Sequence, residues 1–411
     1  MKEQIHNRSI ADIARGGRRR LLLLFLLVLW GSPTLHGQDG LVGVLQSIEQ
    51  NNSTLKALRE QADAQKAGNK TGIYLPGPEV AMDYFRGSPA AVGNRTDISV
   101  KQTFDIATVM NIKNRVADRQ NEMLDWQFRA HRTAILQEAA LAGIEIIYYN
   151  QLKMALAGRL HQAETLAAGY AKRLAAGDAS ILEYNKAQFN LAAVQGEIDR
   201  VEVERDAMIA ELQRLNGGIA LVPDDDTYGS NDSLPADFDV WFAEIAAGHP
   251  AIAYAQAEVA LGKQNITLNK MQNWPAVSIG FVSENVVGQR YQGISFGLSV
   301  PLWENKNRVR QAAVAVRAAE SRQADVGLQL HSRLRTAFFR AQGLRNIADD
   351  YRKARTSLSN TELLKKALDT GELSLLAYMV EMELYYTALQ QTLTAERDYR
   401  KALIELRSIE W

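Results

Sequence analysis

The sequence predicts a mainly α-helical chain with a small transmembrane β part, in which one helix–β-hairpin–long helical hairpin unit occurs twice. Three observations predict this: an internal duplication, paired segments of period-two alternation, and two very long helical stretches without proline. The 411 residues carry 47 Lys+Arg and 47 Asp+Glu, giving a formal net charge of zero. A nucleic-acid binder needs a basic excess to neutralise phosphates, so that class is disfavoured and no nucleic-acid partner is expected. The absence of cysteine excludes disulfides, thiolate zinc sites, Cys nucleophiles and a lipid-carrying cysteine. Only 9 Pro against 46% hydrophobic residues suits long regular elements and not a disordered chain.

The elements follow in order. Arg18, Arg19 and Arg20 precede the apolar run Leu21–Trp30, and small residues follow at Gly31, Ser32 and Gly37. A basic start, a short apolar centre and a small-residue cut site describe a secretory signal peptide, here residues 1–37. The run is shorter than the ~20 residues a membrane helix needs. From there the chain divides into a first repeat at 38–216, a linker at 217–239 and a second repeat at 240–411.

The duplication is visible residue by residue. LAAGDASILEY at 174–184 matches LDTGELSLLAY at 368–378, pairing Gly177 with Gly371, Ser180 with Ser374 and Tyr184 with Tyr378. KNRV occurs at Lys113–Val116 and again at Lys306–Val309, and Pro78 and Val80 match Pro275 and Val277. Order is kept across the chain, which marks a tandem repeat.

Each repeat opens with a helical segment, 41–72 or 240–272, rich in Ala, Leu, Gln and Lys. The period then switches to two. In Ile294–Val300 every second residue is large and apolar, with Ser or Gly between, which is a strand with one greasy and one small or polar face. The expected strands are 79–86 and 96–105 in the first repeat, and 275–286 and 291–301 in the second. The joining segments GSPAAVGN and Val287–Arg290 are built of turn formers. Helical stretches at 107–176 and 303–370 follow, each reaching on the order of 100 Å at 1.5 Å per residue. Glycine turns at Gly177 and Gly371 end them, and Ser180 and Ser374 cap the returning helices. Heptad-like spacing predicts the buried lines Leu191, Val194, Ile198, Val201, Met208, Leu212 and Leu215, and then Tyr385, Ala388, Ala395, Ala402, Leu406 and Ile409.

Four strands cannot close a barrel, and open edges are not tolerated in hydrocarbon. Bacterial transmembrane barrels need at least about eight strands, so strands must be pooled between chains. Three chains would give a trimeric 12-stranded β-barrel, continued by a periplasmic α-helical barrel. Apolar residues would then face lipid, and Ser, Gly, Gln and Asp would line water.

At this point the chain resembles the TolC-type outer membrane efflux family. The resemblance covers about 41–411 and rests on the duplicated order of elements together with local patterns. Asn52–Leu55 and His249-Pro250-Ala251-Ile252 stand where the family has an Asn-Pro-x-Leu helix start, with Ser53 departing from the proline. Lys101–Asp105 and Leu298–Trp303 stand at its strand exits, and the turns at Gly177 and Gly371 match its Gly-x-x-Ser helix tips. Leu75–Val80 resembles the heavy-metal-efflux branch. The resemblance implies a homotrimer in the outer membrane whose tips dock on a periplasmic adaptor. That adaptor joins an inner-membrane pump, of the proton-driven resistance-nodulation-division type. Such a duct performs no chemistry, is not an enzyme and binds no cofactor.

By the same resemblance the adaptor-docking residues are Gly177, Asp178, Ala179 and Ser180, with Gly371, Glu372, Leu373 and Ser374. Carboxylate rings gate such pores, since symmetry-related charges focus field on a narrow axis. Glu183 matches an acidic family position, whereas the family's aspartate positions in the second repeat fall on Ala377 and Val380. Glu183 and Glu381 are therefore the gate candidates. Met379 and Met382, three apart on a helix, fit soft-metal contact but fit core packing better. A periplasmic coiled-coil adaptor or scaffold would show one helical hairpin and not two, and a type I protein-secretion duct would share the architecture.

Overall fold

The computed structural model describes residues 40–104, 107–223, 226–229, 233–303, 305–357 and 361–411. The leader at 1–37 lies outside the described residues. The first repeat comprises α1 (Gly40–Asn51), α2 (Ser53–Asn69), β1 (Glu79–Phe85), β2 (Arg95–Phe104), α3 (Ala107–Ala176) and α4 (Ile181–Leu215). The second comprises α5 (Phe238–Ala246), α6 (Pro250–Met271), β3 (Ala276–Val286), β4 (Gln289–Ser299), α7 (Arg308–Ser357), α8 (Thr361–Asp369) and α9 (Leu375–Arg407).

Four expectations need correction. The helix expected at 41–72 breaks at Asn52, which stands in an extended conformation, accepts from the Leu55 N–H at 2.8 Å and so caps α2. Its counterpart at 240–272 breaks in the same way before Pro250, where His249 Nδ1 accepts from the Ala251 N–H at 3.1 Å. The long second helix begins at Arg308 and not at 303, because Asn307 sits at φ 67 in the left-handed region. Toward the tip the chain is helical again in α8, and 358–360 lie outside the described residues. The fourth strand runs two residues earlier than expected, since its turn needs only Val287 and Gly288 (φ 74).

The four strands form one antiparallel sheet in the order β1-β2-β3-β4, so the two hairpins pair directly through β2 and β3. Register places Val80 opposite Val100, Val100 opposite Phe281 and Phe281 opposite Ile294. Paired residues share a face, so Val80, Met82, Ile98, Val100, Phe281, Ile294, Phe296 and Leu298 gather on one side. Phe296 is 77% exposed there, and its neighbours Ile294 and Leu298 are exposed with it. The opposite face carries Asp83, Asp97, Glu284, Ser278, Gly280, Ser295 and Gly297. Among the described residues β1 and β4 each have one unpaired edge.

Away from the sheet the chain is a layer of long helices. α3 has 70 residues, about 105 Å at 1.5 Å per residue. Near the sheet α2 packs on α3, α3 on α6 and α6 on α7; nearer the tips the order is α4, α3, α9, α7. The core is a set of clusters strung along this layer. One holds Val44, Ile48, Leu136, Ile146, Leu212 and Leu215. The expected line on α4 is borne out at Val194, Ile198, Val201, Leu212 and Leu215, which are buried. On α9 it is shifted: Ala388 is exposed, and Tyr378, Met382, Tyr386, Tyr399 and Leu403 carry the burial with Ala395, Ala402 and Leu406. The expected Ala395, Ala402 and Leu406 are buried, and toward the tip the buried line runs through the bulky Tyr378, Met382 and Tyr386.

Candidate functional site: the helix tips

Both glycine turns are left-handed, with φ 82 at Gly177 and 80 at Gly371, a region open to Gly at little steric cost. At the first tip the Gly177 N–H donates to Leu174 O at 3.1 Å and the Asp178 N–H to Arg173 O at 2.8 Å. This crossed pair is a Schellman end and satisfies carbonyls that the helix cannot. At the second, Gly371 N–H donates to Leu368 O at 3.1 Å and Leu373 N–H to Ala367 O at 3.1 Å. Gly177, Asp178, Ser180, Gly371, Glu372 and Ser374 are exposed, and Ala179 and Leu373 are half-buried.

The two tips, 194 residues apart in sequence, lie at the same end of the molecule. Ala167, Tyr170 and Ala187 of the first hairpin bury Leu375 of the second, with Ala179 and Met379 at the margin. Ser180 and Ser374 each accept from a backbone N–H, of Glu183 and Ala377 respectively, both at 3.2 Å. The first cap goes further: the Glu183 carboxylate accepts from the Ser180 N–H and from its Oγ, each at 2.8 Å. These hydrogen bonds, the backbone one foremost, hold the Glu183 pKa below the usual carboxylate range. Ala377 stands at the equivalent place and has no such group. Glu183 is thus committed to a capping box, whereas Glu381 is exposed and has no ion-pair partner among the described residues.

A link that sequence reasoning missed joins the two hairpins behind the tips. Arg159 on α3 pairs with Glu197 at 2.9 Å and with Glu383 on α9, and its guanidinium lies 5.1 Å from the Tyr386 ring centroid. Tyr386 Oη donates to Gln162 Oε1 at 3.1 Å. Burial, reinforced by the neighbouring Tyr385, pushes the Tyr386 phenol up to about 12, so it stays a donor throughout the physiological range. These partners are 224 residues apart, and no local pattern announces them. Met382 is buried against Tyr378 and Tyr386, with Met379, Leu364 and Leu368 beside it, which is a packing role.

No protein-family model matches the chain, and no curated protein matches its sequence. Solved structures do match. A membrane protein from Pseudomonas aeruginosa is 18% identical with a TM-score of 0.73, over 90% of this chain and 93% of that one. CusC, described in terms of folding and transmembrane channel formation, is 16% identical with a TM-score of 0.69, over 92% and 95%. The CmeC outer membrane channel of Campylobacter jejuni is 15% identical with a TM-score of 0.66, over 90% and 84%. The duplicated helices, the shared sheet and the paired glycine tips together give this chain the fold of the TolC-type outer membrane efflux channels.

Proposed function

We propose that the chain is one third of a homotrimeric outer membrane duct, the exit component of a tripartite efflux system. The observation that carries this reading is the four-stranded sheet, with apolar residues concentrated on one face and open at both edges, joined to long helices of which α3 reaches about 105 Å and α7 about 75 Å. An 11-residue strand such as β4 spans about 36 Å along its length, and a tilt near 40° brings its height to about 27 Å, the thickness of an outer-membrane apolar band. Exposed Trp274 and Trp303 at the helix side of the sheet and Tyr84 toward the loop side fit interfacial belts in outer membrane lipid. Three sheets joined edge to edge close a 12-stranded barrel and remove every open edge. The helices then form the periplasmic tunnel.

In this reading the tips Gly177–Ser180 and Gly371–Ser374 dock on a periplasmic adaptor. Glu183 and Glu381 are the proposed gate carboxylates, and Glu381 has the freer side chain of the two. An inner-membrane pump of the proton-driven resistance-nodulation-division type supplies the energy, so the chain itself catalyses no reaction. The proposed cargo is small, heavy metal ions or drugs, delivered by that pump. The adaptor or scaffold reading is the weaker one, because hairpin and strands both occur twice.

Membrane fractionation tests the placement: recovery in the outer membrane as a heat-labile trimer is expected, and recovery with the inner membrane or as a soluble monomer refutes it. Deletion followed by challenge with copper, silver, zinc, cobalt and detergents tests the cargo. Sensitisation to at least one of these is expected, and unchanged tolerance to all of them removes the small-cargo assignment.

A further inference from the structure

The four strands separate charge by face, with one exception. Glu79, Asp83, Arg95, Asp97, Lys101 and Glu284 lie on the side opposite Phe296, and Arg290 alone shares the apolar side, in line with Ile294, Phe296 and Leu298. On the opposite side Arg95 is neutralised by Asp97 at 2.7 Å and Glu284 at 3.2 Å. Arg290 is exposed and has no ion pair among the described residues. With the Gln292 amide turned to present its oxygen, Arg290 Nη2 and Nε donate to it at 3.0 and 3.1 Å, so its neighbour on this face is neutral. Register sets Arg290 beside Asn285, and Gln292 beside Ser283. At this corner hydrogen-bonding side chains replace the apolar pairs Phe281–Ile294, Ile279–Phe296 and Val277–Leu298 that stand nearer the helices.

We propose that Arg290, Gln292 and Asn285 form a binding corner for the phosphate groups of a phosphorylated saccharide lipid in the outer leaflet. The proposal rests on the outer membrane reading above and adds a ligand site to it. β4 begins directly after the turn Val287-Gly288, at the end of the sheet away from the helices, so the corner faces the outer leaflet. Arg290 precedes Phe296 by six residues, about 20 Å along the strand and about 15 Å in height at a tilt near 40°. Half of an apolar band about 25 Å tall is less than that, so the guanidinium stands at headgroup level. An arginine facing lipid is costly at mid-membrane and tolerated at the interface, where an anion can neutralise it. Its planar fork matches two phosphate oxygens, and the amides of Gln292 and Asn285 suit sugar hydroxyls. A phosphomonoester on a saccharide also carries more charge than the phosphodiester of a glycerophospholipid, which favours the saccharide lipid as the occupant.

Native mass spectrometry of the detergent-extracted full chain tests this, with diphosphorylated lipid A, the same lipid stripped of its phosphates, and phosphatidylglycerol as separate probes. The wild type is expected to retain diphosphorylated lipid A in preference to the other two. Arg290→Gln should weaken that binding about tenfold, the scale of one hydrogen-bonded charge. Arg290→Lys, which keeps the charge without the fork, should fall between them. Lys101→Gln, on the opposite face of the sheet, should bind as the wild type does. Equal affinity in the wild type and Arg290→Gln overturns the site, as does an equal loss in Lys101→Gln. Equal retention of phosphatidylglycerol by the wild type overturns the choice of lipid. Membrane fractionation of each variant separates the two readings. A chain that fractionates away from the outer membrane overturns the duct and this site together, whereas an outer membrane trimer with no preference for phosphorylated lipid A overturns this site alone.

Discussion

Asn52 offers the sharpest energetic test of the fold. Its side chain is 4% exposed, and it makes two bonds at once. Its Oδ1 caps α2 at the Leu55 N–H, and its Nδ2 donates to Leu215 O at 2.7 Å, tying the end of α4 to the break between α1 and α2. Asn52→Ala removes an N-cap, costing about 1 kcal/mol. It also leaves a buried carbonyl without its donor, costing about 1–3 kcal/mol more. The sum is about 2–4 kcal/mol, and at 1.4 kcal/mol per factor of ten it predicts amide exchange about 30- to 700-fold faster for Leu55 and its neighbours. Hydrogen exchange read by mass spectrometry on the detergent-extracted protein measures this, with tip peptides around Gly177 as the unchanged reference. Asn52→Ser keeps an acceptor for the cap but is too short to reach Leu215, so its effect should fall between wild type and Asn52→Ala. Unaltered protection at Leu55 in Asn52→Ala refutes the reasoning, because it would mean that neither bond stabilises this junction.

Three further outcomes follow from the structure. Burial, and then the charge of Arg333, hold the His249 imidazole below its ordinary value. The folded pKa is therefore lower than the unfolded one, so the stabilisation is complete above about 6.5 and is lost as pH falls through the folded value. Exchange at Ala251 should accelerate on acidification, and His249→Asn, which keeps a cap acceptor, should abolish that pH dependence. Substituting Val at both Gly177 and Gly371 forces a β-branched residue to positive φ at two tips; efflux should be lost while the trimer still reaches the outer membrane, as read by tolerance assays and gel mobility. Phe296→Arg, on the apolar face of the sheet, should cost about 2–4 kcal/mol and lower the yield of assembled trimer, whereas Ser295→Arg on the opposite face should assemble normally.

The parts of the fold that are legible in the sequence are those set by short-range or periodic chemistry. Alternation in Ile294–Val300 announces a two-faced strand because side chains reverse direction at every residue. Gly177 and Gly371 announce turns because the left-handed region costs Gly little, and Ser180 and Ser374 announce helix starts because a hydroxyl reaches an N–H three residues on. The strand register was less accessible: that β4 starts at Gln289 depends on a turn of only two residues closing the hairpin. Glu183 shows how one residue supports two readings. Its spacing from Ser180 is that of a capping box as well as of an acidic family position, and the geometry engages the carboxylate in the cap.

The duplication, the two hairpins, the long helices and their glycine tips can be read along the chain, since each is encoded within a few residues or by a repeating period. The pairing of β2 with β3, the tie from Asn52 to the end of α4, and the hold of Arg159 and Gln162 on Glu383 and Tyr386 across the two hairpins emerge from the packing of the folded chain. Those contacts join residues separated by more than 160 positions. Their partners are chosen by which helix faces remain to be buried once the local elements exist, a competition among surfaces that no short stretch of chain contains.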